Sequence, residues 1–531
     1  RLLLAVLLCA AGSIFARPAL AATCLGQTVT ITGAGTINGT SGNDVILGSG
    51  LNDTIHGNGG VDTICGGSGN DFIFLDAGSG TVDAGAGNDD VTGGPLVDTL
   101  TGGTGNDKLR GLGGADIIQG NDGNDSVAGG DGDDRTLEGG DGDDKITTGN
   151  GNDAAFGGAG KDRIYGQAGE DDLDGGEGDD SISANAGIDY VVGGPGNDKL
   201  VAGSGDDGVY GREGNDRLYG EAGNDDMAGQ EGDDYISASA GNDTILGGQG
   251  NDTIVGGPDN DSIGSLTTDY ESGNDDISGS SGNDVIAAGS GDDHIDGGSG
   301  DDVIYGDVPG LTFSSGCSDL ILGGDGKDDL NGGGTDPGQD LCTNRIEGGN
   351  QDDNIYGGNG ADAIYGDAGN DDIYSYGGDD FVAGGDGTDT AYGGDGEDSL
   401  VGSAGTDQLY GEDGIDVLGV HSTQNLPDLD PGDDYMAGGD GDDVIVGGSG
   451  ADTLEGEEGG DYITGDFNSD EAFSYADFIY GGPGNDFLWA GDNSSPFDFG
   501  ANTVEGGLGN DKIEGSSGND TIYGQANGFL F

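Results

Sequence analysis

The sequence predicts an all-β fold, a flat parallel β-roll in which two nine-residue repeats make one 18-residue coil. Three observations predict it. Written nine residues at a time from Gly66, the chain is self-similar, as in GGSGNDFIF at 66–74, GGTGNDKLR at 102–110, GGPGNDKLV at 193–201 and GGQGNDTIV at 247–255. Position 8 is almost always apolar, at Ile46, Ile55, Ile64, Ile73, Val82, Val91, Leu100 and Leu109 in succession, while positions 7 and 9 vary freely. Position 6 is aspartate in all 14 nonapeptides from 139 to 264 and in nine of the ten from Gly39 to Ala128, Gly80 being the exception.

The repeat elements follow in order. Positions 7 to 9 alternate as a strand does, with one inward side chain in three. A three-residue strand has no stability alone, so the other six residues must turn the chain back and stack it on its neighbours. The core is then two facing rows of Ile, Leu and Val. Glycines at positions 1, 2 and 4 suit turns that need positive φ and let backbone carbonyls approach a ligand closely. Strict glycine every third residue, which collagen requires, is absent.

Segments outside the repeat divide the rest of the chain. Residues 1–21 read as a secretory signal peptide: Arg1 precedes the apolar run Leu2 to Ala11, and Ala19-Leu20-Ala21 makes an A-x-A-like cleavage site. A transmembrane anchor is the rival reading, and the run is short for it. Residues 22–38 are expected to cap the roll, 39–264 to form it, and 265–523 to continue it with loop insertions. The stretch 524–531 reads as a truncated last repeat. Register breaks fall at Gly264 to Asp269, Asp307 to Phe313, Gly333 to Asp340, Val420 to Asp428, Asp466 to Glu471 and Gly491 to Pro496, and one extra residue lies near Arg135. These read as loops bulging from the turns.

Cleavage removes Cys9 and leaves Cys24, Cys65, Cys317 and Cys342, an even count that favours disulfides in an exported chain. Four cysteines allow three pairings, and nearness in sequence favours Cys24 with Cys65 and Cys317 with Cys342. Zinc is the alternative, and the C-x-x-C spacing and nearby histidines it needs are lacking.

Composition limits the function classes. The chain has 531 residues, 103 of them acidic against 14 basic, for a formal charge of −89. Nucleic acid and anionic membrane surfaces are thereby excluded as partners, and cations are favoured. With an 18-residue coil, one edge stacks Asp144, Asp162, Asp180, Asp198, Asp216, Asp234 and Asp252. The other edge stacks Asp153, Asp171, Asp189, Asp207, Asp225, Asp243 and Asp261. Like charges about 4.8 Å apart in a column cannot stand unneutralised. A hard dication with oxygen ligands resolves this, and calcium fits because it accepts six to eight oxygens in flexible geometry.

The motif GGxGxDxUx, where U is a large apolar residue, resembles the hemolysin-type calcium-binding repeat, also called RTX, over about nine-tenths of the chain. Membership implies calcium ions between successive coils, held for instance by Asp198 and Asp216 with carbonyls from Gly193 to Gly196 and Gly211 to Gly214. On the same basis the remaining metal ligands are Asp44, Asp53, Asp62, Asp71, Asp89, Asp107, Asp125, Asp284, Asp293, Asp302, Asp362, Asp371, Asp380, Asp389, Asp398, Asp443, Asp452, Asp511 and Asp520. About 40 to 45 filled sites would bring roughly +80 to +90, close to the formal charge, so the unfilled chain is expected to stay expanded. About 24 coils at 4.8 Å make a rod on the order of 115 Å.

An enzyme is not expected. The chain has no HExxH or GxSxG motif, and only His56, His294 and His421 could serve as a base, the first two at outward strand positions. Paired carboxylates recur with the repeat instead of standing out as one acid/base pair. A polysaccharide-active β-helix enzyme and the repeat portion of a larger secreted effector or adhesin are the alternatives. Ice binding needs a regular threonine row, and position 3 is too mixed to supply it. One surface feature falls at the coil period: Tyr356, Tyr374, Tyr392 and Tyr410, all at position 9. Cross-strand packing explains this ladder first, and a platform for cell-surface or matrix polysaccharide second. The expected protein is therefore a secreted, extracellular calcium-binding solenoid with a structural, surface or matrix role.

Overall fold

The computed structural model describes residues 22–265, 271–307, 317–333, 342–419, 432–466, 476–491, 501–516 and 518–524. The predicted signal peptide, His421, residues 525–531 and most of the predicted loops lie outside them. The described residues contain strands and no helix, and no helix is long and apolar enough to cross a membrane. Packing divides the chain into two compact units, Arg1–Ala159 and Gly160–Phe531.

In each unit alternate repeats feed alternate sheets, which fixes the coil at two nonapeptides. Within the second unit, Lys199–Ser204 pairs in parallel with Ser181–Ala186 on one side and Arg217–Ala222 on the other. Tyr190–Pro195, the repeat between, pairs with Asp172–Glu177 and Gly208–Glu213 in the facing sheet. Direct pairs such as Leu200 with Leu218 lie 18 residues apart. The first unit follows the same rule, Lys108–Gly113 pairing with Asp90–Thr92 and Ser126–Asp131. Its sheets begin before Gly39, since Ile31–Thr32 pairs with Val45–Leu47 and Thr36–Asn38 with Thr54–His56. This is the parallel β-roll that the repeat predicts.

Position 8 forms the core as expected: Ile46, Ile55, Ile64, Ile73, Val82, Val91, Leu100 and Leu109 are all fully buried. The strands differ from expectation in length. Many run six residues, through positions 7 to 9 and on through positions 1 to 3 of the next repeat, as in Lys199–Ser204. Position 1 is thus a second inward position, and non-glycine residues there, such as Ala84, Ala184, Ala202 and Ala238, are fully buried. Most residues there are small because the next coil lies close, and the fully buried Leu75, packed against Gly80, is the large exception. A Cβ at Gly193 would press on Asp198 Oδ2 and on the carbonyl oxygen of Gly211. The turn that follows needs left-handed backbone, and Gly194 adopts φ +108° with the Gly176 carbonyl against the place its Cβ would take.

Both favoured disulfides are formed, Cys24 with Cys65 and Cys317 with Cys342. The first ties the hairpin of Thr23–Cys24 and Gln27–Thr28 to the strand Val61–Ser68. The second leaves no thiolate for a metal beside Asp307, although the three residues lie together.

Replacement of Leu218 by alanine is expected to cost about 2–5 kcal/mol in the calcium-loaded protein, because the side chain is fully buried between paired coils. Tyr219→Ala, one residue further along on the outer face, should cost less than about 1 kcal/mol. Denaturant unfolding of the two variants decides it, and equal losses would contradict the assigned facing of the strand.

Candidate metal centre

The turn after each strand places the position-6 aspartate at the sheet edge with its carboxylate turned inward. Every ligand named from the sequence occupies this place, and all are buried except Asp511 and Asp520, which are half-buried. One carboxylate oxygen has a fixed task. The backbone N–H of each aspartate donates to Oδ1 of the aspartate one coil later: Asp180 to Asp198, Asp198 to Asp216, each 2.7 Å. In the first unit Asp53, Asp71 and Asp89 donate in turn to Asp71, Asp89 and Asp107, also at 2.7 Å. Position 5 runs a second ladder in the opposite sense, Asn88 N–H donating to Asn70 Oδ1 at 3.1 Å and Asn106 to Asn88 at 3.0 Å.

The other oxygen is the chemically significant one. Oδ2 of Asp71, Asp89, Asp107, Asp198, Asp216 and Asp234 is buried with no hydrogen-bond partner. An orphaned buried carboxylate oxygen carries a full desolvation cost, and here it recurs along both columns. What it faces is shown by two places where the column holds an amide instead. Asn344 accepts the Asp319 N–H on Oδ1 like the aspartates, while its Nδ2 donates to the Gly357 carbonyl at 3.2 Å. Asn502 instead donates from Nδ2 to the carbonyl of Ala490, which opens its own turn, at 2.7 Å. In the aspartate repeats the same spot therefore brings two acceptors together, Oδ2 and a carbonyl of the next turn, as the Gly193 contacts with Asp198 and Gly211 also show. Two facing acceptors need either a proton or a cation between them. All-oxygen donors, carboxylate plus carbonyl, fit calcium.

The columns make protonation easier than in water. Burial pushes the Asp198 carboxyl up to about 8, against the lowering effect of the Asp180 N–H, with the charges of Asp216, Asp180 and Asp179 adding. Asp107 and Asp116 rise to about 7 and Asp89 to about 6, again chiefly through burial.

The structure extends the candidate set. Asp98, Asp116, Asp134, Asp275, Asp319, Asp328, Asp353, Asp407, Asp416, Asp434, Asp461, Asp477 and Asp486 occupy the same buried place without having been among the predicted ligands. Asp275, Asp319, Asp434 and Asp477 follow an insertion, while Asp98, Asp116, Asp407, Asp416 and Asp461 stand in the regular repeat, and the ladder absorbs each insertion. Asp252 donates to Asp275 across 23 residues at 2.8 Å, Asp293 to Asp319 across 26 at 3.0 Å, and Asp407 to Asp434 across 27 at 2.8 Å. The extra residue at Arg135 is absorbed in the same way, Asp125 reaching Asp144 across 19 at 2.6 Å. A short signal would have found them: aspartate two residues before the apolar position, as in DDIS at 275–278 and DYMA at 434–437.

Two predicted ligands differ from the rest. Asp44 Oδ2 accepts from Thr40 N and Oγ1, at 2.6 and 2.9 Å, and Asp53 Oδ2 from Ser49 N and Oγ, at 2.7 and 2.9 Å. A hydroxyl residue at position 2 supplies the donors that the orphaned oxygens lack elsewhere. Glu271 is another departure. It stands at position 2 of its repeat, is buried, and donors meet only one of its oxygens, Oε2 accepting the Gly248 N–H at 2.8 Å. Burial pushes its carboxyl up to about 7, with the charges of Asp275 and Asp252 adding.

The surface residues singled out in the sequence are outside these columns. His294 Nδ1 lies 2.9 Å from Asp276, and His56 stacks on Phe74 with ring centroids 4.9 Å apart. The tyrosine ladder is formed, its rings face to face at 5.5, 4.9 and 4.7 Å from Tyr356 through Tyr374 and Tyr392 to Tyr410. Each interior ring has both faces covered by its neighbours, which is the packing role.

Comparison with curated proteins finds none that matches the chain. The family model described as the RTX calcium-binding nonapeptide repeat (4 copies) matches repeatedly, in overlapping segments from 38 to 263 and again over 270–307, 347–382, 383–418, 430–470, 471–494 and 498–527. Given these matches and the repeated carboxylate turns, the chain belongs to the RTX calcium-binding nonapeptide repeat family.

Proposed function

We propose that this protein is an exported, non-catalytic calcium-binding solenoid whose roll forms as calcium enters the turns, and that its role is structural, at a cell surface or in an extracellular matrix. The observation that carries the reading is the meeting of two acceptors in each turn, the orphaned aspartate Oδ2 and the carbonyl of the next coil. The position-6 aspartates would hold the ions through Oδ2, with turn carbonyls completing the oxygen shell. Calcium supplies there the positive charge that the columns lack. Export is supported by the apolar leader in the sequence and by two disulfides, which persist in oxidising compartments. Extracellular calcium is abundant enough to fill sites of modest affinity.

A glycan partner is a second reading, favoured by the tyrosine ladder on so acidic a surface. Because the ring faces cover one another, contact with sugar would fall to ring edges and hydroxyls. Changing Tyr356, Tyr374, Tyr392 and Tyr410 together to serine should then abolish binding to a glycan panel while calcium-induced folding persists.

Far-UV circular dichroism of the chain from Ala22 should show a cooperative gain of β signal on adding calcium and none with magnesium at the same concentration. A chelated chain already rich in β structure, or one still disordered at several millimolar calcium, would refute ion-driven folding.

The carboxyl shifts predict the pH dependence. Each raised carboxyl holds its proton more tightly in the fold than in the unfolded chain, where aspartate titrates at about 3.9. Its contribution to the calcium-free fold is complete below about 4 and is lost as pH rises through the folded values, about 6 to 8. Calcium-free protein should accordingly gain β signal between pH 8 and pH 5, and calcium binding should release protons and weaken over the same range. Titration calorimetry in buffers of different ionisation enthalpy counts the protons, and a count of zero at pH 6.5 would contradict the shifts.

A further inference from the structure

Within the second unit, successive strands from Arg163 to Gln249 enter the two sheets alternately, so every second repeat places its outward residues on the same face. The two faces carry opposite charge. One sheet, made of Arg163–Ala168, Ser181–Ala186, Lys199–Ser204, Arg217–Ala222 and Tyr235–Ala240, holds three cations and one acid, Glu221. The other, made of Asp172–Glu177, Tyr190–Pro195, Gly208–Glu213, Asp226–Glu231 and Thr244–Gln249, holds six acids and one cation, Arg212. Arg163, Lys199 and Arg217 each open a strand, are exposed, and make no ion pair among the described residues. All these charges stand on the strands, outside the turns that carry the position-6 aspartates.

We infer that the basic face of this unit docks on the acidic face of a second copy of the chain. Charge complementarity is matched by spacing. Arg163 is separated from Arg217 by three successive strand pairings, and Asp172 from Asp226 by three in the facing sheet. Each pair therefore spans roughly 14 Å at one strand spacing of about 4.8 Å, and cations of one copy can fall into register with acids of the next. Five strands at that spacing, each six residues long at about 3.3 Å per residue, give a footprint of roughly 500 Å² per copy. The total of about 1,000 Å² is at the lower limit of a specific contact, so the association is weak and sensitive to salt. Different faces meet, which makes the contact heterologous: each docked copy leaves one face of either kind free, and further copies can add. The inference rests on the calcium reading in one respect, since filled columns remove the net negative charge that otherwise holds copies apart.

Sedimentation velocity of the whole protein in saturating calcium and low salt tests it. One variant reverses the basic face (Arg163→Glu, Lys199→Glu, Arg217→Glu) and another the acidic face (Asp172→Lys, Asp226→Lys, Glu231→Lys), with circular dichroism verifying that both fold. The wild-type chain should associate as its concentration rises and dissociate in added sodium chloride. Each variant alone should need at least a tenfold higher concentration to associate, and an equimolar mixture of the two should regain association. A wild-type chain that is folded, calcium-loaded and monomeric throughout would overturn the inference and leave the calcium reading intact. Undiminished association of the basic-face variant would overturn it too, as would a monomeric wild type that instead binds dextran sulfate through the same three cations. A chain that takes up no calcium, but whose variants still complement one another, would refute the calcium reading and uphold the docking.

Discussion

The rest of this molecule depends on placing a buried aspartate at nearly every turn on each edge of the roll. The carboxylates are separated by one strand spacing, about 4.8 Å. Each gives one oxygen to the backbone of the coil before it, as Asp216 does for Asp198. That bond sets the register of the turn and draws the charge out of water at once. The second oxygen is then committed to whatever the turn can offer, and the turn offers only a carbonyl. A residue with an amide solves the problem alone, as Asn344 and Asn502 do. An aspartate cannot, so a proton or a cation must supply there what the amide hydrogens supply at Asn344 and Asn502.

The ion pairs of Arg110, Lys161, Arg345 and Lys512 lie on the surface. Arg110 pairs with Asp90, Lys161 with Asp179, Arg345 with Glu347 and Lys512 with Glu514, and each of these acids lies on a surface position and outside the columns. With 14 basic residues against 103 acidic ones the chain could not balance itself in any arrangement. Protons are the one alternative available in every solution, and the raised carboxyls show how the fold would take them up. Calcium and acid are thus competing answers to the same electrostatic demand. They differ in reach, since a proton satisfies one Oδ2 and its carbonyl whereas a calcium ion can join oxygens from successive coils.

The parts of this arrangement that speak through side chains were legible in the sequence. Apolar position 8 and acidic position 6 gave the roll, its 18-residue coil and the columns, because each needs one residue type at one spacing. Position 1 was not legible as strand: glycine has no side chain to alternate, so the second half of Lys199–Ser204 reads as turn although its backbone pairs with both neighbours. The aspartates that follow insertions were missed for a different reason. Counting by nines loses Asp275, Asp319 and Asp434, while the ladder, which needs only that the chain return to the same edge, retains them.

That tolerance of insertions has a physical basis and limits how the solenoid can vary. Loop closure costs grow slowly with length, and the bonds that define a coil all lie between its strands and turns. Spacings of 23, 25, 26 and 27 residues therefore preserve the same Asp-to-Asp bond, or its Asp-to-Asn equivalent, as the regular 18. Substitution inside the turn is restricted far more tightly, because any change there alters which atom faces the next coil's carbonyl. Thr40 and Ser49 satisfy that aspartate oxygen with their own hydroxyls and amides, and Glu271 adds a charge to it. Long loops thus leave the aspartate columns unaltered, whereas a hydroxyl residue at position 2 supplies side-chain donors to the aspartate oxygen of its turn.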